Sequence, residues 1–358
     1  MRILQVISRL NVGGTSVWIT NLNRALTETG NPNAVVSGIV GDNEMQAEMA
    51  TTNISFLPFW GKKRNLIGDL RAIIYIRREI KSDRVEVVNT HAFKGGLVGR
   101  IAALTVIRDK PLVVHTVHGH LIYGYENKLK SLLWSLSEIV LSWFTDKIIC
   151  VGTTVKDDLS KLPFLNPNKL TTILPTCETS PIERFEKRDS KAIVVGWMGR
   201  LEHVKDPELV LEIASLMPEI QFRISGFGSK RNSIINSAPP NVIFLDYCDP
   251  HEFWQSCDIA LSTSRNEGVP TSILEAMSLS LPIVAPAVGS IRDAVKHEFN
   301  GYLVKSRDPV EYFKVLEEII FNPELRQDMG EASNERLIRS FSFSEFKSRH
   351  LKTYGISS

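Results

Sequence analysis

The stretch Ser264–Met277, SRNEGVPTSILEAM, sets two carboxylates eight positions apart: Glu267 in a Gly-Val-Pro loop and Glu275 one turn inside the helix expected from Thr271. Pro270 suits a first helical position, and the first-turn N–H groups of a helix have no intrahelical acceptor. Together with the positive end of the helix dipole, those groups suit a phosphate. Glu275 can then accept from a vicinal diol such as a ribose. Glu267, upstream in the loop, can reach hydroxyls on the other side of the phosphates. One acid for each end of a nucleotide-linked sugar accounts for the spacing, with Gly268, Val269, Pro270 and Thr271 around the phosphates between them.

Cations for such a ligand stand in VVGWMGRLEHVKDPELV, where Arg200 and Lys205 flank a strand end and a helix start. A guanidinium fork and an ammonium point charge suit a diphosphate; two solvated surface cations are the plainer explanation. GFG at 226–228 places Gly226 and Gly228 after another strand but lacks the third glycine of a dinucleotide fingerprint. Gly13 and Gly14, in NVGGTSVWITNL, precede a helix and can bring backbone N–H groups to a phosphate, although an ordinary turn uses the same residues. In THAFKGGLVGR, His91 and Lys94 precede a glycine pair and a helix; a lysine there opposes the dipole unless an anion offsets it. VVHTVHGHLIYGY holds His115, His118 and His120 with no acidic partner nearby in sequence, so no metal site is expected. Of these, His118, beside Gly119 at the strand end, is best placed for a ligand; a hydrogen-bonded structural histidine competes with that reading.

These residues must be carried by strands ending together. The first half alternates β-branched runs (RILQVIS, NAVVSGIV, NISFLPF, VEVVNTHA, PLVVHTVHG, KIICVG) with helical windows at 16–29, 66–81, 96–106 and 127–146. After a polar, charged stretch at 183–191, ERFEKRDSK, the alternation restarts with AIVVGWMG, IQFRISGFG, NVIFLD, DIALSTS, PIVAPAV and GYLVKS. Near-continuous apolar strands joined by helices indicate parallel sheets covered on both faces. The fold class is therefore α/β, with two doubly wound Rossmann-like domains at 1–185 and 186–335 and a C-terminal aromatic helical segment at 336–358 that packs across the boundary. Ligands of such sheets bind beyond the carboxyl ends of the strands, and a cleft between two of them is the default site.

The chain's 358 residues carry a net charge of +2, which excludes a bulk nucleic-acid footprint. The charge is uneven: residues 1–185 hold 22 Lys/Arg against 16 Asp/Glu, the remainder 20 against 24. The basic half suggests an anionic partner such as a membrane surface. GKKRNLIGDLRAIIYIRREIK and NKLKSLLWSLSEIVLSWFTDK are the stretches that would lie on one, as basic or aromatic amphipathic helices; packing against a sheet is the alternative. The four cysteines have no metal-ligand spacing, and no run approaches the length of a spanning helix. A cytoplasmic protein with at most a peripheral contact to the inner face of the membrane is expected.

Taken together, VGG at 12–14, THAFKGGLVGR, HTVHGH at 115–120, GRLEHVK at 199–205, GFG, NVIFLDY at 241–247 and EGVPTSILEAM at 267–277 resemble the retaining GT-B glycosyltransferases of family 4, over nearly the whole chain. KGGLVGR with HTVHGH is similar to a subgroup of capsule, O-antigen and exopolysaccharide enzymes. The resemblance implies that Arg200 and Lys205 bind the donor diphosphate, Glu275 the ribose, and Glu267 the transferred sugar. It places His118 near that sugar and Gly14 in the phosphate and acceptor pocket, and it assigns His91, Lys94 and His120 to the acceptor or subgroup site. It implies a nucleotide-sugar donor, UDP-linked by weight of family, and a glycan or polyprenyl-linked acceptor. No metal or other cofactor is implied, since the chain has no Asp-x-Asp. Family members commonly carry Gly at the positions of Ser280 and Ser290, and Pro-Ser at Thr263-Ser264. Two rivals stay open: a sugar-nucleotide 2-epimerase of the same architecture, and a catalytically idle sugar-nucleotide-binding partner.

Overall fold

A computed structural model describes residues 1–41, 44–47, 53–61, 65–119, 128–177, 192–246 and 248–357, and only the backbone of 128–130. The chain divides into two compact units, Met1–Pro175 with Ser344–Ser358, and Thr176–Phe343. The boundary expected at 185/186 lies outside the described residues.

The first unit contains β1 (Ile3–Ile7), α1 (Gly14–Glu28), β2 (Asn33–Ile39), β3 (Asn53–Gly61), α2 (Leu66–Ser82), β4 (Val87–His91), α3 (Ala92–Leu104), β5 (Leu112–Val117), α4 (Lys128–Ser142), β6 (Lys147–Cys150), α5 (Thr153–Ser160) and β7 (Leu170–Thr172). The second contains β8 (Val194–Met198), α6 (Pro207–Leu216), β9 (Gln221–Ser225), α7 (Arg231–Asn236), β10 (Val242–Leu245), α8 (Pro250–Gln255), β11 (Ile259–Leu261), α9 (Thr271–Ser278), β12 (Ile283–Pro286), α10 (Ile291–Ala294), β13 (Gly301–Val304), α11 (Pro309–Phe321) and α12 (Pro323–Ser340). The last helix, α13 (Phe343–Tyr354), belongs almost wholly to the first unit.

Both sheets are parallel. The first runs β3-β2-β1-β4-β5-β6-β7, the second β10-β9-β8-β11-β12-β13. Each has one switch point, between β1 and β4 in the first and between β8 and β11 in the second, where the chain leaves its first strand on one side and returns on the other. Ligands of doubly wound sheets sit at the carboxyl ends of such a pair. The candidates follow those strands: Gly13 and Gly14 after β1, His91 at the end of β4, Arg200 and Lys205 after β8, Glu267 after β11. β1 and β4 are buried at every residue, as unbroken apolar runs covered on both faces must be.

The glycines of KGGLVGR turn out to be packing residues. A Cβ on Gly96 would lie 2.5 Å from the His115 ring, and one on Gly99 2.6 Å from Thr90 Cγ2, so only a glycine face lets α3 lie this close to β4 and β5. α3 starts at Ala92, earlier than the glycine pair, because Ala92 takes φ 57 and turns the chain straight out of β4.

Three helices and one strand escape the hydrophobic pattern. β7 has three residues, and α5 and α7 have eight and six. α12 buries Met329, Gly330, Ser333, Asn334 and Leu337, a face too small and polar to show as an apolar stripe. The C-terminal segment expected as a unit from 336 is instead the end of α12, a break at Phe341, and α13, whose Phe346 and His350 pack on Trp18 of α1.

Candidate active site

In the second unit the strand ends converge on one ion pair. The Lys205 ammonium donates to Oε1 of Glu267, with both side chains largely buried. The same oxygen accepts from the Ser264 hydroxyl at 2.7 Å, and the Glu267 carbonyl accepts from Ser290 N at 3.1 Å. The resemblance assigns Lys205 to the phosphates and Glu267 to the sugar as separate contacts; the fold joins the two side chains. Arg200 does not share this anchor. It is exposed, and its side chain meets no partner among the described residues.

Lys205 is held through its backbone. The Thr263 hydroxyl lies 2.9 Å from the carbonyls of Lys205 and Asp206 and accepts from Trp197 Nε1 at 2.9 Å. Asp206 takes the left-handed conformation at φ 51, and its buried carboxylate holds Arg307 through two nitrogens and Arg265 at 3.1 Å. These contacts pin the loop from β8 to α6 against the end of β11. None of Thr263, Asp206, Arg265 and Arg307 was a sequence candidate. The signal available was Thr263 itself, whose hydroxyl can both donate and accept at the end of β11.

Gly226 also works through packing: at φ 152, a Cβ on it would come within 1.8 Å of the Gly199 carbonyl, while Gly199 N donates to Ser225 O at 3.1 Å. It shapes the turn that carries Arg200. Pro270 is the residue before the first turn of α9, one place earlier than expected, and no side chain caps that turn. By contrast, α2, α8, α11 and α12 are capped by Asn65, Asp249, Asp308 and Asn322. The N-cap residue Pro270 thus offers no side-chain acceptor to the first-turn N–H groups of α9, which start beside the buried Gly268, Val269 and Pro270. One turn in, burial pushes the half-buried Glu275 up to about 7.

The two serines that the resemblance sets against glycines differ. Ser280 has φ 56, a left-handed conformation that favours glycine and carries strain here. Ser290 has φ −90, which any residue adopts, and its neighbour Gly289 takes the left-handed place at φ 51.

In the first unit, Gly13 (φ 145) precedes α1, with Ser16 Oγ returning to its carbonyl at 2.7 Å. His91 Nδ1 lies 3.0 Å from His118 Nε2, and the Trp18 edge packs on the His118 ring at 5.5 Å. Burial holds His118 at about 3 and His91 well below the usual histidine range, so both are neutral. Lys94 is not a free cation at a helix start: it sits inside α3 and pairs with Asp69 at 2.9 Å and the Gly61 carbonyl at 2.8 Å. His120 lies outside the described residues. Among the described residues, no three His, Cys, Asp or Glu side chains gather as a metal-holding group.

One pair escaped the sequence altogether. Arg100 and Glu138 form a bidentate ion pair at 2.7 Å, both fully buried, and Arg100 Nε also reaches the Gly96 carbonyl at 2.9 Å. Glu138 therefore turns inward, and Leu132, Leu133, Leu136, Val140, Trp143 and Phe144 are left exposed along α4 and just past its end.

The sequence and the fold match known proteins. Residues 12–180 match the model of Glycosyltransferase Family 4 and residues 179–336 that of Glycosyl transferases group 1. The chain belongs to glycosyltransferase family 4. Its relatives include the UDP-Gal:alpha-D-GlcNAc-diphosphoundecaprenol alpha-1,3-galactosyltransferase of Escherichia coli, 28% identical over 73% of each chain. The capsular polysaccharide biosynthesis glycosyltransferase CapM of Staphylococcus aureus is 23% identical, over 77% of this chain and 78% of its own. Among solved structures, Anabaena HepE in complex with UDP and glucose superimposes with a TM-score of 0.81 at 15% identity, over 99% of each chain. The chain has the GT-B architecture of two parallel α/β sheet domains.

Proposed function

We propose that this family 4 protein is a retaining, metal-independent glycosyltransferase. It moves a hexose from a UDP-linked donor to a glycan or polyprenyl-linked acceptor in cell-surface polysaccharide synthesis. The observation that carries the reading is the Lys205–Glu267 pair at the β8/β11 switch point, beside the uncapped first turn of α9. The names of the galactosyltransferase and capsule relatives, and the UDP in HepE, support the donor and the pathway class.

Breaking the anomeric bond builds negative charge on the leaving diphosphate and positive charge on the sugar. Lys205, the α9 N–H groups and the exposed Arg200 stabilise the former, and their interaction grows toward the transition state. Lys205 stays partly neutralised by Glu267 until a phosphate competes for it. Glu267, fixed by Ser264 and Lys205, is directed to the sugar hydroxyls rather than to proton abstraction, and Glu275 as a carboxylate accepts from the ribose diol. In the first unit, Gly13 and Gly14 offer backbone N–H groups to an anion, and His118 offers a ring nitrogen to a hydroxyl or phosphate oxygen.

Attachment to the inner membrane face is part of the proposal. Among the described residues no helix is long and apolar enough to cross a membrane. The exposed stripe of α4 and a second one on α2 (Leu66, Ile67, Leu70 and Ile74, with Arg71, Arg77 and Arg78 exposed on the same helix) give a surface for an anionic bilayer.

The deciding experiment presents a panel of nucleotide sugars and reads thermal shift and slow nucleotide release. Stabilisation by one UDP-sugar, with release lost in Lys205→Ala, is expected. A protein unmoved by every member refutes the donor site, and an epimerised sugar nucleotide formed without acceptor selects the epimerase.

A further inference from the structure

We propose that His91 is a positioning residue that fixes the tautomer of His118. The His91 Nδ1–H donates to Nε2 of His118, so that His118 carries its proton on Nδ1 and presents it as a donor at the carboxyl end of the sheet. His91 ends β4 and His118 follows β5, the next strand, so their pairing is set by the register that puts His91 opposite Thr116.

Two neutral imidazoles 3.0 Å apart must share one proton: one nitrogen donates and the other accepts. The direction is decided at the far end of His91. Its Nε2 is buried without a hydrogen-bond partner. A proton there would be a sealed donor with nothing to accept it, an arrangement proteins avoid more strictly than an unpaired acceptor. The proton of His91 therefore belongs on Nδ1, and His118 must offer Nε2 as a lone pair.

The neighbouring histidines follow the same pattern. His350 donates from Nδ1 to the Phe346 carbonyl at 2.8 Å, and its Nε2 is likewise buried and unpaired. His115 Nδ1 lies 3.1 Å from the Thr90 carbonyl, which can only accept. A bare Nε2 is thus already tolerated against Trp18, whose ring packs edge-on to both His118 and His350. That ring also clamps His118 from a second side. His118 Nδ1 is not among the sealed atoms and meets no partner among the described residues. Free histidine favours the Nε2–H tautomer, so the effect of His91 is measurable. Its catalytic consequence rests on the function proposed above: a fixed N–H aimed at a sugar or phosphate oxygen of the donor.

The tautomer is read from long-range proton–nitrogen correlation spectra of the full chain labelled with nitrogen-15 histidine, His118 being assigned with His118→Gln. The expected spectrum has Nδ1 of His118 protonated and Nε2 bare. In His91→Leu the His118 signal shifts toward the Nε2–H form. His91→Asn, which keeps an N–H near the position of Nδ1, retains the wild-type pattern. In turnover, His91→Leu lowers kcat about 10–100-fold with a smaller change in KM for the donor, less than deleting a transition-state donor outright; His91→Asn recovers most of it. A wild-type His118 protonated on Nε2 overturns the inference, as does a His91→Leu protein that keeps the Nδ1–H form. The spectra need no substrate, so a failed donor panel with the expected tautomer sinks the functional reading and leaves this one standing.

Discussion

Lys205 and Glu267 come from different strand ends, sixty-two residues apart, yet share one hydrogen bond that Ser264 completes from the third residue before the glutamate. Groups that act as a unit are not additive when removed. Lys205→Ala is expected to reduce kcat/KM for the donor by about 10²–10³-fold, the size of losing one preorganised stabiliser. Glu267→Ala, which frees Lys205 but removes the sugar contact proposed for the carboxylate, should act mainly on kcat. The double variant should fall well short of the product of the two. A strictly multiplicative double-mutant cycle would show that the pair does not function together.

Thr263 holds the backbone on which Lys205 stands. Thr263→Val keeps the shape and removes the hydroxyl, leaving the Trp197 indole N–H without its acceptor and the carbonyls of Lys205 and Asp206 without that donor. Each such group costs about 1–3 kcal/mol when stranded in a buried place. Chemical denaturation should show the second unit destabilised by at least about 1 kcal/mol, with donor turnover reduced alongside. Unchanged stability would mean that Arg265 and Arg307 alone fix the loop.

The strand pattern was legible because parallel strands buried on both faces must be apolar throughout, and β8 to β13 all follow segments read from the sequence. The placement of Glu267 and Lys205 after strands was legible for the same reason. Their pairing was not, since an ion pair across sixty-two residues depends on sheet order, and sheet order is not written in local periodicity. Lys94 shows the converse: a cation that looks free in sequence is taken up by Asp69 of α2, which only the helix packing brings near. Glu138 was hidden because an acid within an amphipathic stretch normally marks the solvent face, whereas a buried arginine inverts that rule here.

Burial pushes Glu275 up to about 7, whereas the ribose contact proposed for it uses the ionised form. Affinity for a UDP-sugar, whose phosphates do not titrate near neutrality, should therefore rise about tenfold between about pH 6 and 8. Glu275→Gln should bind more weakly and show no such slope. The linked effect on folding runs the other way. An acid with a raised folded pKa takes up a proton on folding, so its cost appears as pH rises through about 7 and is relieved as pH falls toward the unfolded value. Calorimetric titration at a series of pH values checks the first statement, and a flat profile in the wild type would refute it.

The histidines of the first unit titrate in the opposite sense. His115 and His118 are held at about 3 and His350 at about 4, with burial the first cause in each case, and His91 is also well below its usual range. Their unfolded forms take up protons below about pH 6.5 while the folded forms do not. Stability from these groups is complete above that value and is lost progressively as pH falls toward the folded values. Denaturant unfolding followed from pH 7.5 down to 4.5 should show the first unit losing stability steeply, and His350→Asn should flatten the slope by about one proton. A slope insensitive to that substitution would assign the acid lability elsewhere.

The buried Arg100–Glu138 pair decides which way α4 faces, and so makes a membrane test possible without disturbing the core. Leu132, Leu133, Leu136 and Val140 are about half exposed, so charging them should not cost folding, whereas each contributes apolar area if the helix lies in a bilayer interface. The full chain is expected to sediment with vesicles containing anionic lipid and to stay in solution with neutral ones. Raised salt should weaken that binding without abolishing it, because the apolar contact is not screened. Leu133→Glu with Leu136→Glu should release the protein into the supernatant while its melting temperature and its turnover of a soluble acceptor are retained. Glu138→Leu serves as the control for the geometry. It leaves Arg100 buried and unpaired, which costs about 3–5 kcal/mol, so it should destabilise the first unit where the surface charges do not. If the intact protein ignores anionic vesicles, the stripe on α4 has another occupant and the membrane attachment falls.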